Sequence, residues 1–195
     1  MTQNLINSHV NDALDRIYQA EYGAHYMIIY PDLVTLRKLY SSYIGKQIQD
    51  NNQIALINPF YETTDSVRQV LSQRNNHGLD VFKFEKEKSL IIADALERYF
   101  GNQRHLDVKS FKVSLVDHAK QIGKNGLLIL SDMGAYVHKS MYKDLVDYEL
   151  SLPRRYDGGV AMKSFCLYHQ KDFDKFSDEQ KQKLVEHHGK AIKIM

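Results

Sequence analysis

The stretch "HYMIIYPD", residues 25–32, decides how the rest of the chain reads. From Tyr26 to Tyr30 it is apolar or aromatic without a break. That run is too short for a core helix, and its lack of alternation implies burial on both faces, as in a strand inside a parallel sheet. Asp32 then stands where a helix N-cap belongs. Four further runs share this character: "QIALIN" (53–58), "SLIIAD" (89–94), "GLLILS" (126–131) and "SFCLYH" (164–169). A sixth, "KAIKI" (190–194), alternates and is predicted to be an edge strand.

Between the runs the apolar residues recur at helical spacing. Leu33, Leu36, Tyr40, Tyr43 and Ile44 form one stripe behind Asp32. Val67, Val70 and Leu71 form a second behind a cap at Thr63 or Thr64. Phe111, Leu115, Ala119 and Ile122 make a third, stopped near Gly123, and Met141, Leu145, Tyr148 and Leu152 a fourth before Pro153. Ser177 with Gln180 matches a capping box ahead of Leu184 and Val185. Val10, Leu14, Ile17 and Tyr18 predict an N-terminal helix ending by Gly23, whereas Val81, Phe82 and Phe84 suit a short helix or an extra strand.

Strands alternating with crossover-length helices specify an α/β fold: a three-layer, mostly parallel central sheet with helices on both faces and right-handed connections. The expectation is one domain over residues 1–195, with the helix in residues 1–23 packed on it. Lys and Arg number 26 against 24 Asp and Glu, with no long run of like charge, so no polyanion-binding field is expected and direct nucleic-acid binding is disfavoured. One cysteine cannot form an internal disulfide, and neither a signal-peptide pattern nor a membrane-length apolar run is present. A cytoplasmic protein without membrane partners is the expectation.

A nucleotide site on such a fold needs a glycine-rich turn at a helix N-terminus. The loop after the first run is "YPDL", without glycine. The pairs Gly45-Lys46 and Gly123-Lys124 have Tyr40 and His118 where the phosphate motif wants its first glycine, and neither lysine is followed by Ser or Thr. The single cysteine, Cys166, has His169 three residues on. Within a strand they point to opposite faces, about 10 Å apart, too far for proton exchange, so Cys166 reads as a small buried hydrophobe. His187 and His188 are neighbours on a helix, about 100° apart rather than on one face, and are assigned no metal. The carboxylate pairs Asp144/Asp147 and Asp94/Glu97 fit solvated helix faces. "LPRRYDGG" (152–159) fits a surface turn better than an anion grip. Among 13 tyrosines, Tyr30, Tyr61, Tyr136 and Tyr168 fall at or near strand ends, where they suit an amphipathic pocket.

The ordered series "HYMIIYPD", "SLIIADALERYF", "GLLILSDMGAYV", "VDYELSL" and "SFCLYHQKDF…LVEHHGKAI" resembles the MEDS family, the sensory domain named from methanogens, methylotrophs and the dichloromethane regulator. The matching features are the aromatic Tyr30, the acid Asp94, the pair Tyr148-Glu149, and Cys166 with Tyr168. The resemblance implies a fold similar to RecA and the circadian-clock ATPases with a degraded phosphate loop, and a role in sensing small organic molecules. Family members are often joined to histidine kinases or DNA-binding domains. This chain's elements are used up by the α/β unit, so its signal is expected to pass to a partner such as a histidine kinase or transcription regulator, or across a homo-oligomer interface. The expected function is thus a non-catalytic sensory or ligand-binding domain with no cofactor and no metal. Alternatives are a residual RecA-like nucleotide-binding protein and a structural adaptor. Candidate ligand contacts at the carboxyl ends of the strands are Tyr30, Asp32, Asn58, Glu62, Asp132, Tyr136, Tyr168 and His169. Asp32 and Asn58 also suit a plain helix cap and a turn residue before Pro59.

Overall fold

The computed structural model describes residues 5–73, 78–101, 108–156 and 161–195. Seven strands form one parallel sheet in the order β1-β7-β2-β6-β5-β3-β4: β1 (Leu5–Ser8), β2 (His25–Tyr30), β3 (Ile54–Asn58), β4 (Leu90–Ile92), β5 (Leu127–Asp132), β6 (Met162–His169) and β7 (Lys190–Ile194). The continuous apolar runs are thereby explained. β2, β6 and β5 lie side by side in the middle, and nearly every residue on them is buried.

Helices cover both faces. On one lie α1 (Val10–Tyr18), α2 (Leu33–Gln49), α3 (Thr64–Ser72) and α4 (Val81–Lys86), packing Leu14, Ile17, Tyr43, Ile44 and Val67 against Ile28, Tyr30, Leu130 and Leu167. On the other lie α5 (Ala95–Phe100), α6 (Val108–Gln121), α7 (Gly134–His138), α8 (Tyr142–Ser151), α9 (Gln170–Phe173) and α10 (Asp178–His187), which meet Met27, Ile29, Ile129, Cys166 and Tyr168. Alternation along each strand sends odd and even residues to different layers.

The capping residues act as their types predict. Asp32 accepts from the Thr35 amide and Thr63 from Ser66, so Thr63 rather than Thr64 is the cap of α3. Ser177 and Gln180 form the reciprocal box of α10. Asp80 caps α4, which settles the ambiguous 81–86 segment as a helix.

Two expectations are corrected. "KAIKI" is an interior strand: β1 pairs with its outer side, a strand that the reading of the N-terminus as helix alone overlooked. Ile122 is largely exposed, because the helix ends at Gln121 and a left-handed Gly123 turns the chain away. The "LPRRYDGG" segment lies partly outside the described residues, from Asp157 onward; Leu152 is buried, and Arg155 bridges to Ala24.

Candidate functional site

The strands run parallel, so their carboxyl ends share one edge of the sheet. Tyr30 ends β2 and Asp132 ends β5, one on each side of β6. They meet across it: the Tyr30 hydroxyl donates to Asp132 Oδ2 at 2.6 Å, while Asp132 Oδ1 takes the Gly134 amide at 2.8 Å. Burial raises the Asp132 carboxyl to about 7, although both hydrogen bonds favour the charged form. Burial, with the facing Asp132 carboxylate, also pushes the Tyr30 phenol far above its ordinary range.

His169 sits beside this pair, its ring 5.3 Å from Tyr30 and 5.1 Å from Tyr61 between centroids. Tyr61 donates a short hydrogen bond to Asp172, whose other oxygen takes Lys175 Nζ at 2.8 Å. Glu62 is held by Arg37 Nε at 3.0 Å and the Ser66 hydroxyl at 2.7 Å. Asp32 is turned to the start of α2, where its helix bonds lower its pKa.

On the opposite face of the same edge, Asn58 Nδ2 donates to the Ser131 hydroxyl at 2.8 Å. A cavity of about 10 Å³ opens here, lined by Asn58, Ser131, Arg98, Tyr99, Phe111 and Tyr148 among others. It has room for one water-sized group. Asn58 Oδ1 and Arg98 Nη2 are buried and, among the described residues, have no hydrogen-bond partner. The Arg98 guanidinium stacks 3.6 Å from the Phe111 ring centre, and burial lowers its pKa. Tyr136 packs against two of the lining rings without lining the cavity itself, stacked on Tyr148 at 5.7 Å and tilted against Tyr99 at 5.1 Å.

Deeper on that face lies a four-residue cluster of mixed chemistry. His25, Glu149, Cys166 and His188 each present one N, O or S atom, all within 4.8 Å of one another, and all four residues are buried. Cys166 Sγ is 3.4 Å from both His25 Nε2 and Glu149 Oε2. Glu149 Oε2 is also 3.6 Å from His25 Nε2 and 3.5 Å from His188 Nε2, and its other oxygen accepts the Tyr168 hydroxyl at 2.9 Å. Each imidazole is anchored from behind: His25 Nδ1 donates to Pro153 O at 2.9 Å and His188 Nδ1 to Leu184 O at 2.7 Å. Burial opposes ionisation of Glu149, but the bonds and charges of His188 and His25 outweigh it and hold the carboxyl well below its usual range.

The eight predicted contacts therefore divide. Tyr30, Asp132 and His169 form one group, with Glu62 nearby; Asn58 lines the cavity, and Tyr136 only packs against its lining Tyr99 and Tyr148; Tyr168 supports the buried cluster; Asp32 is a helix cap. Cys166 is more than a small hydrophobe. The structure keeps it apart from His169, yet gives it His25 as a neighbour, 141 residues away in the chain. Arg98, Tyr99, Glu149, His25 and Asp172 were missed as site residues. Glu149 had a signal, as half of the Tyr148-Glu149 pair that carries the family resemblance and as a charged residue at helical spacing from the apolar Leu145 and Leu152.

A family model described as MEDS, "MEthanogen/methylotroph, DcmR Sensory domain", matches residues 24–189. No curated protein matches the chain.

Proposed function

The chain belongs to the MEDS family, and on that premise we propose that it senses a small organic molecule carrying a hydroxyl group, bound at the carboxyl ends of β3 and β5. The observation that carries this reading is the pair of unpartnered atoms on one cavity, the acceptor Asn58 Oδ1 and the donor Arg98 Nη2. Buried polar groups are nearly always paired. A hydroxyl serves both at once, donating to the amide oxygen and accepting from the guanidinium, whereas a carboxylate has no proton for Asn58 and an ammonium no lone pair for Arg98. Tyr99, Phe111 and Tyr148 supply apolar walls for a short carbon chain. A cavity of about 10 Å³ admits such a ligand only if those aromatic side chains shift, and that displacement is the first step of a signal.

Recognition rather than nucleotide turnover is favoured by the start of α2. There the Asp32 carboxylate caps the helix by taking the Thr35 amide, and its negative charge stands where a phosphate would sit after β2. Output passes to a partner, a histidine kinase or transcription regulator, or through self-association. Among the described residues no helix is long and apolar enough to cross a membrane.

Thermal unfolding of the full chain with short-chain alcohols, against carboxylates and amines of equal length, tests the reading. An alcohol at a hundred times its dissociation constant adds about 2.7 kcal/mol, a rise of roughly 5–11 °C for a chain of this size. Asn58→Leu abolishes that rise. An alcohol series without effect, or an effect untouched by Asn58→Leu, removes the proposal.

A further inference from the structure

We infer that His25, Glu149, Cys166 and His188 form a four-coordinate site for a divalent transition metal, with zinc the best fit to their donor set. Four of the six separations among the ligand atoms lie between 3.4 and 3.6 Å. A tetrahedral ion with bonds of about 2.0–2.3 Å sets its ligands about 3.3–3.8 Å apart. The two Cys166 spacings also suit thiol hydrogen bonds, but the imidazole–carboxylate spacings of 3.6 and 3.5 Å are long for charge-assisted N–H···O bonds, which take about 2.7–2.9 Å. Two imidazoles and the thiol thus stand around the single oxygen Glu149 Oε2 with spacings that fit shared coordination, the two N···O ones fitting it better than a direct hydrogen bond.

The orientation of each group agrees. Both imidazoles give their Nδ1 proton to a backbone carbonyl, which leaves the Nε2 lone pairs turned to the centre, the arrangement metal-bound histidines require. Among the described residues His188 Nε2 has one close polar neighbour, Glu149 Oε2 at 3.5 Å, and the approach does not reach hydrogen-bond geometry. Tyr168 ties Glu149 Oε1, so only Oε2 points inward. Charge balances too: a dication, one thiolate, one carboxylate and two neutral imidazoles sum to zero, which suits a site no more than 2% exposed. On binding, the Cys166 thiol gives its proton to solvent and a metal–sulfur bond forms, with no redox step. With all four positions filled by protein, the ion cross-links β2, α8, β6 and the turn after α10 and leaves no place for a reacting water. The four ligands share no residue with the lining of the Asn58–Arg98 cavity, and the metal assignment does not rest on the proposed function.

The site is closed, so the test loads it during folding. The full chain is unfolded with chelator, then refolded with cobalt(II), with zinc(II), or with chelator alone. The expected result is one cobalt per chain, with the intense visible bands of a tetrahedral ion and a near-ultraviolet thiolate charge-transfer band. Zinc displaces the cobalt, and either metal raises the melting temperature. Cys166→Ser loses the charge-transfer band, and Tyr168→Phe, which frees the outer oxygen of Glu149, weakens zinc binding about 10–100-fold. The unmodified chain decides the matter even if a variant misfolds: no stoichiometric metal, or only the weak spectrum of six-coordinate cobalt, overturns the proposal. So does a charge-transfer band that survives in a folded Cys166→Ser.

Discussion

Asp132 departs from ordinary carboxyl chemistry, since burial at the sheet edge holds its proton to about pH 7. The unfolded chain releases that proton near pH 3.8, so between those values the native state binds the extra proton and stability falls as pH rises. At about 1.4 kcal/mol per unit, this one group lowers stability by roughly 3–4 kcal/mol between about pH 4 and pH 7, levelling off above. Asp132→Asn removes that slope, read from urea unfolding across the range; an unchanged slope places the titration elsewhere. Tyr30→Phe acts oppositely. It takes away the hydroxyl that favours the charged form, so the carboxyl titrates higher and the decline extends to more alkaline pH. At pH 8, where the carboxylate has lost a donor, the cost is about 1–3 kcal/mol.

Between elements, packing reverses an ordinary propensity at Gly134, the first residue of α7. Alanine in place of glycine normally gains up to about 1 kcal/mol in a helix. Here an added Cβ would stand 2.5 Å from Phe60, 2.8 Å from Tyr61 and 3.0 Å from the Asp132 carboxylate. Gly134→Ala is therefore expected to destabilise by about 1–3 kcal/mol and to disturb the Tyr61–Asp172 bond. A gain in melting temperature would show that the loop holding Phe60 and Tyr61 yields freely. This scale also marks what could be read in the chain. The strands β2 to β6 are legible because burial on both faces forces largely apolar runs, and the caps at Asp32 and Ser177 because each side chain acts on an amide only three residues on. β1 lies at the sheet edge, half-exposed, and its Leu-Ile-Asn-Ser makes no apolar run, while its partner β7 lies at the far end of the sequence. The buried cluster hides for the same reason. His25 reads as the first residue of a strand and His188 as the tail of a helix, and only the order β7-β2-β6 brings them to Cys166.

At the scale of the molecule, the family match and the folding unit have different limits. The match spans residues 24–189, yet β7 begins at Lys190 and hydrogen-bonds to strands on both sides, while α1 covers the sheet with Ala13, Leu14 and Ile17. Cutting to 24–189 would strip Leu14, Ile17, Ile192 and Ile194 from one core. At about 1.5–3 kcal/mol for each large aliphatic side chain, that is roughly 6–12 kcal/mol, comparable to the whole stability of a typical domain. It would also bare the backbone edge of β2, a central strand with no charged residue to blunt it. The segment 24–189 alone is therefore expected to be unfolded or aggregated at 25 °C, while residues 1–195 give one cooperative urea transition. A trimmed chain that unfolds cooperatively at the same midpoint would mean that β1, α1 and β7 are appendages. The seven-strand order argues otherwise, because β7 is what joins the N-terminal strand to the centre of the sheet.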